Sequence, residues 1–281
     1  MKNSKDKPII LYVYDFDFGV GGIKVTHYLC HLLNELGYEC YLYPIHIKEE
    51  FCVNASYNTP LIPIELANNL DECIVVYMDG VRGNPLNAKN IVRWVLGPCH
   101  MHMEHYNKNE LVYWYADFYY EEYLGQRENQ LLVVGFQKEI FYDQKLERKG
   151  SCYCIRKCPD PKFIHPDDSI FIPYHAAGDL AAMANVFNRT EIFYCYDDHC
   201  FLSVQAAASG CISVVVPRGK SKEEYLSGSR LNKYGIAYGI EDIPRAIETL
   251  PLFFKELELI EQEEKKHATN FYNHCQKHFN Q

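Results

Sequence analysis

At 281 residues, with 48% hydrophobic residues and a formal net charge of −9, the chain is long enough for one large or two ordinary domains and has a normal globular share of apolar residues. The acidic balance, with cations gathered only in short runs such as "RGKSK" at 218–222, excludes general nucleic-acid binding, which needs concentrated positive charge. No run reaches the ~18 apolar residues of a membrane span, and "MKNSKDKPIILYVYDFDF" lacks the apolar core of a signal peptide, so a cytoplasmic protein is expected.

In chain order the β-type segments are "PIILYVYD" (8–15), "ECYLYPI" (39–45), "ECIVVYMD" (72–79), "NIVRWVLGPC" (90–99), "LVYWYAD" (111–117) and "QLLVVGF" (130–136). After a polar break come "SCYCIRK" (151–157), "SIFIPY" (169–174), "EIFYCY" (191–196), "CISVVVP" (211–217) and "GIAYGI" (235–240), and a charged, helix-prone tail closes the chain. Helical patterns alternate with these strands, which predicts an α/β fold of two doubly wound, Rossmann-like parallel-sheet domains covered by helices on both faces. The charged gap near 143–150 places the boundary so that the domains span 1–147 and 148–281.

The first strand is followed by "YDFDFGVGGIKVTHYLCHLLNELGY". Val25, Leu29, Leu32 and Leu36 share one helical face, and Gly37 closes the helix. Gly21 and Gly22 sit at its start, where backbone N–H groups can approach an anion or a polar ligand; a plain tight turn explains the G-x-G-G spacing equally well. Neither a Walker lysine nor a dehydrogenase fingerprint is present.

"YCYDDHCFLSVQAAASGC" (194–211) packs Asp197, Asp198, His199 and Cys200 together. Phe201, Val204 and Ala208 share a helical face, and Gly210 stands at a helix C-terminus, so the stretch reads as strand, loop, helix and strand. The two aspartates then fall between a strand end and a helix start, the edge where open α/β sheets bind ligands. A metal centre is the alternative; consecutive side chains rarely converge on one ion. His100 and His102, in "GPCHMHMEH", are open to three readings: an acceptor-site role, a metal pair with Cys99 and Glu104, or an ordinary loop. The twelve cysteines sit mostly in apolar segments and read as free thiols, and the C-x-C-x3-C of Cys152, Cys154 and Cys158 lacks the second half of a zinc motif. The sequons at Asn54 and Asn188 read as chance matches.

The two glycine-marked regions together resemble the GT-B glycosyltransferases, the superfamily of glycogen synthase and the bacterial glycosyl-group-1 transferases. "GGIKVTHYLCHLLNELGYEC" is similar to that family's glycine loop and first helix, and "YDDHCFLSVQAAASGCISVVVP" to its C-terminal acidic signature. "GIAYGIEDIPRAIETL" resembles the family's last strand and helix, and "VRGNPLNAKNIVRWVLGPC" (81–99) a stretch of bacterial surface-polysaccharide transferases.

The resemblance implies a GT-B fold with a crevice between the two domains, the final helix packing back towards the N-terminal, acceptor-side domain. It implies transfer of a sugar from a nucleotide-diphosphate sugar to a glycan or lipid-linked acceptor, with no cofactor and no bound metal, in a cytoplasmic protein that can associate peripherally with the inner face of the membrane. Asp197 takes the family's first acidic position, on the donor sugar, and Gln205 the second, on the ribose; a register with Asp198 first is open, and the acidic pair becomes Asp-x7-Gln. Arg156 and Lys157 match the family's diphosphate-binding pair, or form a solvated basic strand end. Gly21, Gly22, Asp198 and Ser203 complete the nucleotide-sugar set, and His100 supplies the acceptor-side acid or base. A nucleotide-sugar 2-epimerase and a non-catalytic nucleotide-sugar-binding protein are the alternatives.

Overall fold

The computed structural model describes residues 6–46, 50–97, 106, 109–116, 119–122, 125–155, 158–173, 179–198 and 200–280. The chain divides into two compact units, Met1–Gly135 with Glu261–Gln281, and Phe136–Ile260. The division falls before the 147/148 position suggested by the charged gap, because Phe136 and Phe141 pack with Phe187 and Phe201 of the second unit.

The first unit holds β1 (Ile9–Val13), β2 (Cys40–Pro44), β3 (Ile74–Met78), β4 (Asn90–Val95) and β5 (Leu111–Trp114) in the order β2-β1-β3-β4-β5. The second holds β6 (Ser151–Cys154), β7 (Ile170–Phe171), β8 (Ile192–Cys195), β9 (Ile212–Val215) and β10 (Ile236–Tyr238) in the order β10-β9-β8-β6-β7. Every one of these pairings is parallel. Both sheets are the same doubly wound design: the first strand is interior, the second is the edge strand on one side of it, and the remaining three build outwards on the other.

Strand periodicity sorts the first core into two layers. Ile9, Leu11 and Val13 of β1 face α1 (Gly21–Glu35) through Val25, Leu29, Leu32 and Leu33, whereas Ile10 joins Val75, Tyr77 and Ile91 on the other face. The last helix, α6 (Ile243–Phe279), begins in the second unit, and its far end buries Ala268, Phe271, Tyr272 and Cys275 in the α1-side layer.

One expected strand is absent among the described residues. "QLLVVGF" makes a single bridge, Trp114 with Gln130, and then leaves the sheet. The backbone N–H groups of Val134 and Gly135 donate instead to the Glu264 carboxylate of α6, at 2.9 and 3.3 Å, and the Tyr28 hydroxyl donates to the same group at 2.8 Å. Gly135 has φ +60°, and a Cβ there would stand 2.6 Å from Tyr28 Cγ, so glycine is required by both backbone and space. Burial raises the affinity of Glu264 for its proton against those three bonds, and the same burial lowers the Lys24 ammonium to about 8, with Glu264 opposing.

Helical cover is also thinner than the strand–helix alternation implied. The β3–β4 connection (79–89) has no helix because Gly80, Gly83 and Pro85 break it, and side chains hold it instead. Arg93 of β4, fully buried, donates through Nε to Glu110 at 2.6 Å and through Nη1 to the Val81 carbonyl at 2.7 Å, while Nη2 reaches the Gly83 carbonyl. Its guanidinium also lies over the rings of Tyr77 and Tyr106 at 4.8 and 4.9 Å. Asn84 closes the turn on Tyr77 and Ala88. The "VRGNPLNAKNIVRW" stretch is thus occupied in holding its own loop.

Arg93→Met leaves Glu110 buried without its partner and is expected to cost about 3–5 kcal/mol, with part of the loss recovered in Arg93→Met/Glu110→Leu. Both tryptophans of the protein, Trp94 and Trp114, lie in the first unit, so urea unfolding followed by tryptophan fluorescence reads this loss there.

Candidate functional site

In the second sheet the interior strand β6 and its neighbour β8 diverge in the direction of their connections, so the carboxyl edge between them is the topological switch point. A cavity of about 320 Å³ opens at this edge, lined by Cys158, Asp160 and Lys162 after β6, Tyr196 after β8, and Val216, Pro217 and Arg218 after β9. Its size is near the lower end of small-ligand pockets, enough for part of a nucleotide. Tyr196 and Val216 supply apolar wall, and Lys162 and Arg218 against Asp160 give the lining one net positive charge.

The β6–β7 connection (155–169) carries Pro159, Pro161 and Pro166 and forms no helix among its described residues. Long connections without secondary structure inside a compact unit are usually functional. Phe163, Ile164 and His165 fold back onto one face of the sheet, where His165 stacks on Tyr153 with ring centroids 3.7 Å apart.

The strand, loop, helix and strand expected over 191–217 are present: β8, α4 (Leu202–Ala208) and β9. The N-cap is Phe201, which makes no side-chain cap bond, and Asp198 pairs with Lys220 at 3.1 Å. Asp197 follows Tyr196, is 5% exposed, and its carbonyl accepts the Cys195 thiol at 3.2 Å. Ser203 and Gln205 are both buried in α4, whose run of small residues packs tightly at Ala206, Ala207 and Ala208. Neither lines the cavity; in the chain Asp197 directly follows its Tyr196, and Lys157 directly precedes its Cys158. Arg156, Lys157, His100, His102 and Cys99 lie outside the described residues.

The basic run "RGKSK" is divided among separate tasks. Arg218 lines the cavity, Lys220 pairs with Asp198, and Lys222 pairs with Asp242. Ser221 caps α5 (Lys222–Ser227) through a capping box with Glu224. The Tyr238 hydroxyl fixes the run by donating to the Lys220 carbonyl at 2.8 Å. Lys162 and Arg218 were not anticipated as ligand contacts. The usable signals were a proline-rich connection without helical period, and a cation immediately after a strand's proline.

In the first unit Gly21 and Gly22 open α1, with Val20 as an N-cap that offers no side-chain bond. A Cβ added at Gly21 would meet nothing within 4 Å, and at Gly22 the nearest atom, Leu96 Cδ1, would be 3.5 Å away. Packing therefore does not require glycine at either position. The adjacent loop is ordered by Asp15, which accepts the Cys52 amide at 2.8 Å, and Asp17, which accepts the Gly19 amide at 2.7 Å. With Asp79, which accepts the Leu96 amide at 3.0 Å, they are the carboxylates at the carboxyl edge of β1 and β3.

Among the described residues no group of three or more His, Cys, Asp or Glu side chains is placed to hold a metal ion, and the described cysteines are free thiols, all buried but Cys52. No helix of the described residues is long and apolar enough to cross a membrane. No protein-family model matches the chain, and comparison with curated proteins returns no match.

Gly21→Ala should stabilise the first unit by about 0.5–1 kcal/mol, since alanine restricts the unfolded chain and meets no neighbour in the folded one. If the bare backbone serves a ligand, the same change weakens that ligand's binding. Tryptophan-monitored unfolding and ligand titration on one variant separate the two effects.

Proposed function

We propose that the protein is a GT-B-type glycosyltransferase whose second unit holds a nucleotide-diphosphate sugar. The observation that carries this reading is the cavity at the switch point of a doubly wound parallel sheet, lined by two cations and an aromatic ring. The cations suit a diphosphate, and the ring and apolar wall suit the uncharged remainder of a nucleotide. By the family resemblance Arg156 and Lys157, which follow β6, add to the phosphate-binding charge.

In the reaction an acceptor hydroxyl oxygen bonds to the anomeric carbon, the bond from that carbon to the β-phosphate oxygen breaks, and the diphosphate departs with the electron pair. Lys162 and Arg218 stabilise the charge that grows on the leaving oxygen, which removes the need for a metal ion at that point. Asp197 orients the donor sugar through its hydroxyls. The acceptor's proton passes to a base, for which His100 is the candidate by the family resemblance. A glycan or lipid-linked acceptor follows from the resemblance alone. The neutral amide of Gln205, where the family carries an acid, favours a second reading as a non-catalytic nucleotide-sugar-binding protein.

A thermal-shift panel of nucleoside diphosphates and nucleotide sugars tests the binding, since a ligand at 100 times its Kd stabilises by about 2.7 kcal/mol. One nucleotide class should raise Tm, and Arg156→Ala/Lys157→Ala should weaken diphosphate binding far more than nucleoside binding. Asp197→Asn should lower sugar turnover more than it lowers nucleotide affinity. Equal loss of nucleoside and diphosphate would remove the phosphate assignment, and binding without any turnover would favour the second reading.

A further inference from the structure

Cys158, Asp160 and Lys162 reach the cavity from a connection with no helix among its described residues, so its position depends on what fastens it to the sheet. The fastening is one cluster. The Tyr196 hydroxyl accepts the Ile164 amide at 2.9 Å and meets His165 Nδ1 at 2.7 Å. A hydroxyl already accepting from an amide has its own proton to give, and the arrangement that satisfies all three groups sends it to an unprotonated Nδ1, leaving the imidazole proton on Nε2. The His165 ring lies flat on Tyr153 of β6, and Phe163 stands edge-on to both His165 and Tyr196, with centroids at 5.2 and 5.8 Å.

We infer that His165 is a positioning residue that, in its neutral form, latches the 158–165 segment onto Tyr196 and so builds the cavity wall that holds the phosphate-bearing part of the ligand. The inference rests on the reading of this cavity as the donor site. Protonating Nδ1 replaces an acceptor with a donor facing the Tyr196 oxygen, which must then accept from both His165 and Ile164 while its own proton loses its partner. Among the described residues the other titratable groups facing His165 are Tyr153 on β6, Tyr194 on β8 at 6.2 Å, and Asp167 on its own connection. Burial holds the imidazole below its ordinary value, with Asp167 acting in the opposite sense. A folded-state pKa below the unfolded one means that the latch is complete above the ordinary histidine range and is lost as pH falls through the folded value.

Two measurements on the full chain test this. The first is hydrogen exchange at the Ile164 amide, corrected for intrinsic rate, at about pH 7.5 and about pH 5. Wild type should protect this amide at the higher pH and lose protection at the lower. His165→Asn, whose Oδ1 accepts the Tyr196 proton without titrating, should protect it at both, and His165→Ala at neither. Equal protection of wild type at both pH values, or a fall in His165→Asn matching that of wild type, overturns the latch.

The second is binding of inorganic pyrophosphate, with His165→Asn as the control for protonation of the probe itself. Relative to that variant, wild type should bind about tenfold more weakly at the lower pH. Equal loss in the two proteins overturns the latch. Absence of pyrophosphate binding at the higher pH, or binding unchanged in Lys162→Ala/Arg218→Ala, overturns the donor-site reading instead, and the Ile164 exchange still decides the latch.

Discussion

Parallel pairing is the constraint from which the rest of this structure follows. Because every strand pair described runs parallel, all five strands of each sheet end at one edge, and each return must cross the sheet through a long connection. The order with the first strand between the second and the third then opens that edge between β6 and β8, and again between β1 and β3. The residues that follow the strand ends are Asp15, Asp17 and Asp79 in the first unit and Tyr196, Asp197, Asp198 and Arg218 in the second.

Several crossings have no helix among their described residues, and individual side chains take over its task. Arg93 holds the β3–β4 connection by its carbonyls, Glu264 holds the amides of Val134 and Gly135, and Tyr196 with His165 holds the β6–β7 connection. Each of these is a buried or half-buried polar group satisfied by backbone that would otherwise be orphaned. The Arg93 and Glu264 sites are inward-facing and stabilise the fold. The Tyr196 site differs because the segment it fastens also lines the cavity.

Much of the fold was legible in the sequence because buried parallel strands are short apolar runs and α1 has a regular apolar face. Ten of the eleven strand segments are strands, and the exception is instructive: nothing local marks "QLLVVGF" as leaving the sheet, since its partner is Glu264, far along the chain. The helix start falls where the apolar face beginning at Phe201 puts it, but the partners of the preceding aspartates were not legible. Asp198 pairs with Lys220, which lies beyond the following strand, so its partner could not be read from its own segment. The cavity residues were the hardest to see, because Lys162 and Arg218 come from two connections that only the strand order brings to one edge.

The central claim is that the second unit binds the phosphates of a nucleotide at the carboxyl edge of its sheet, and a hydrogen-exchange footprint of the bound nucleoside diphosphate tests it most directly. The account predicts protection gained in 158–165, in 196–198 and in 216–220, with the other strand ends of both units unchanged. Protection confined to the first unit, or to the amino edge of the second sheet, would contradict it.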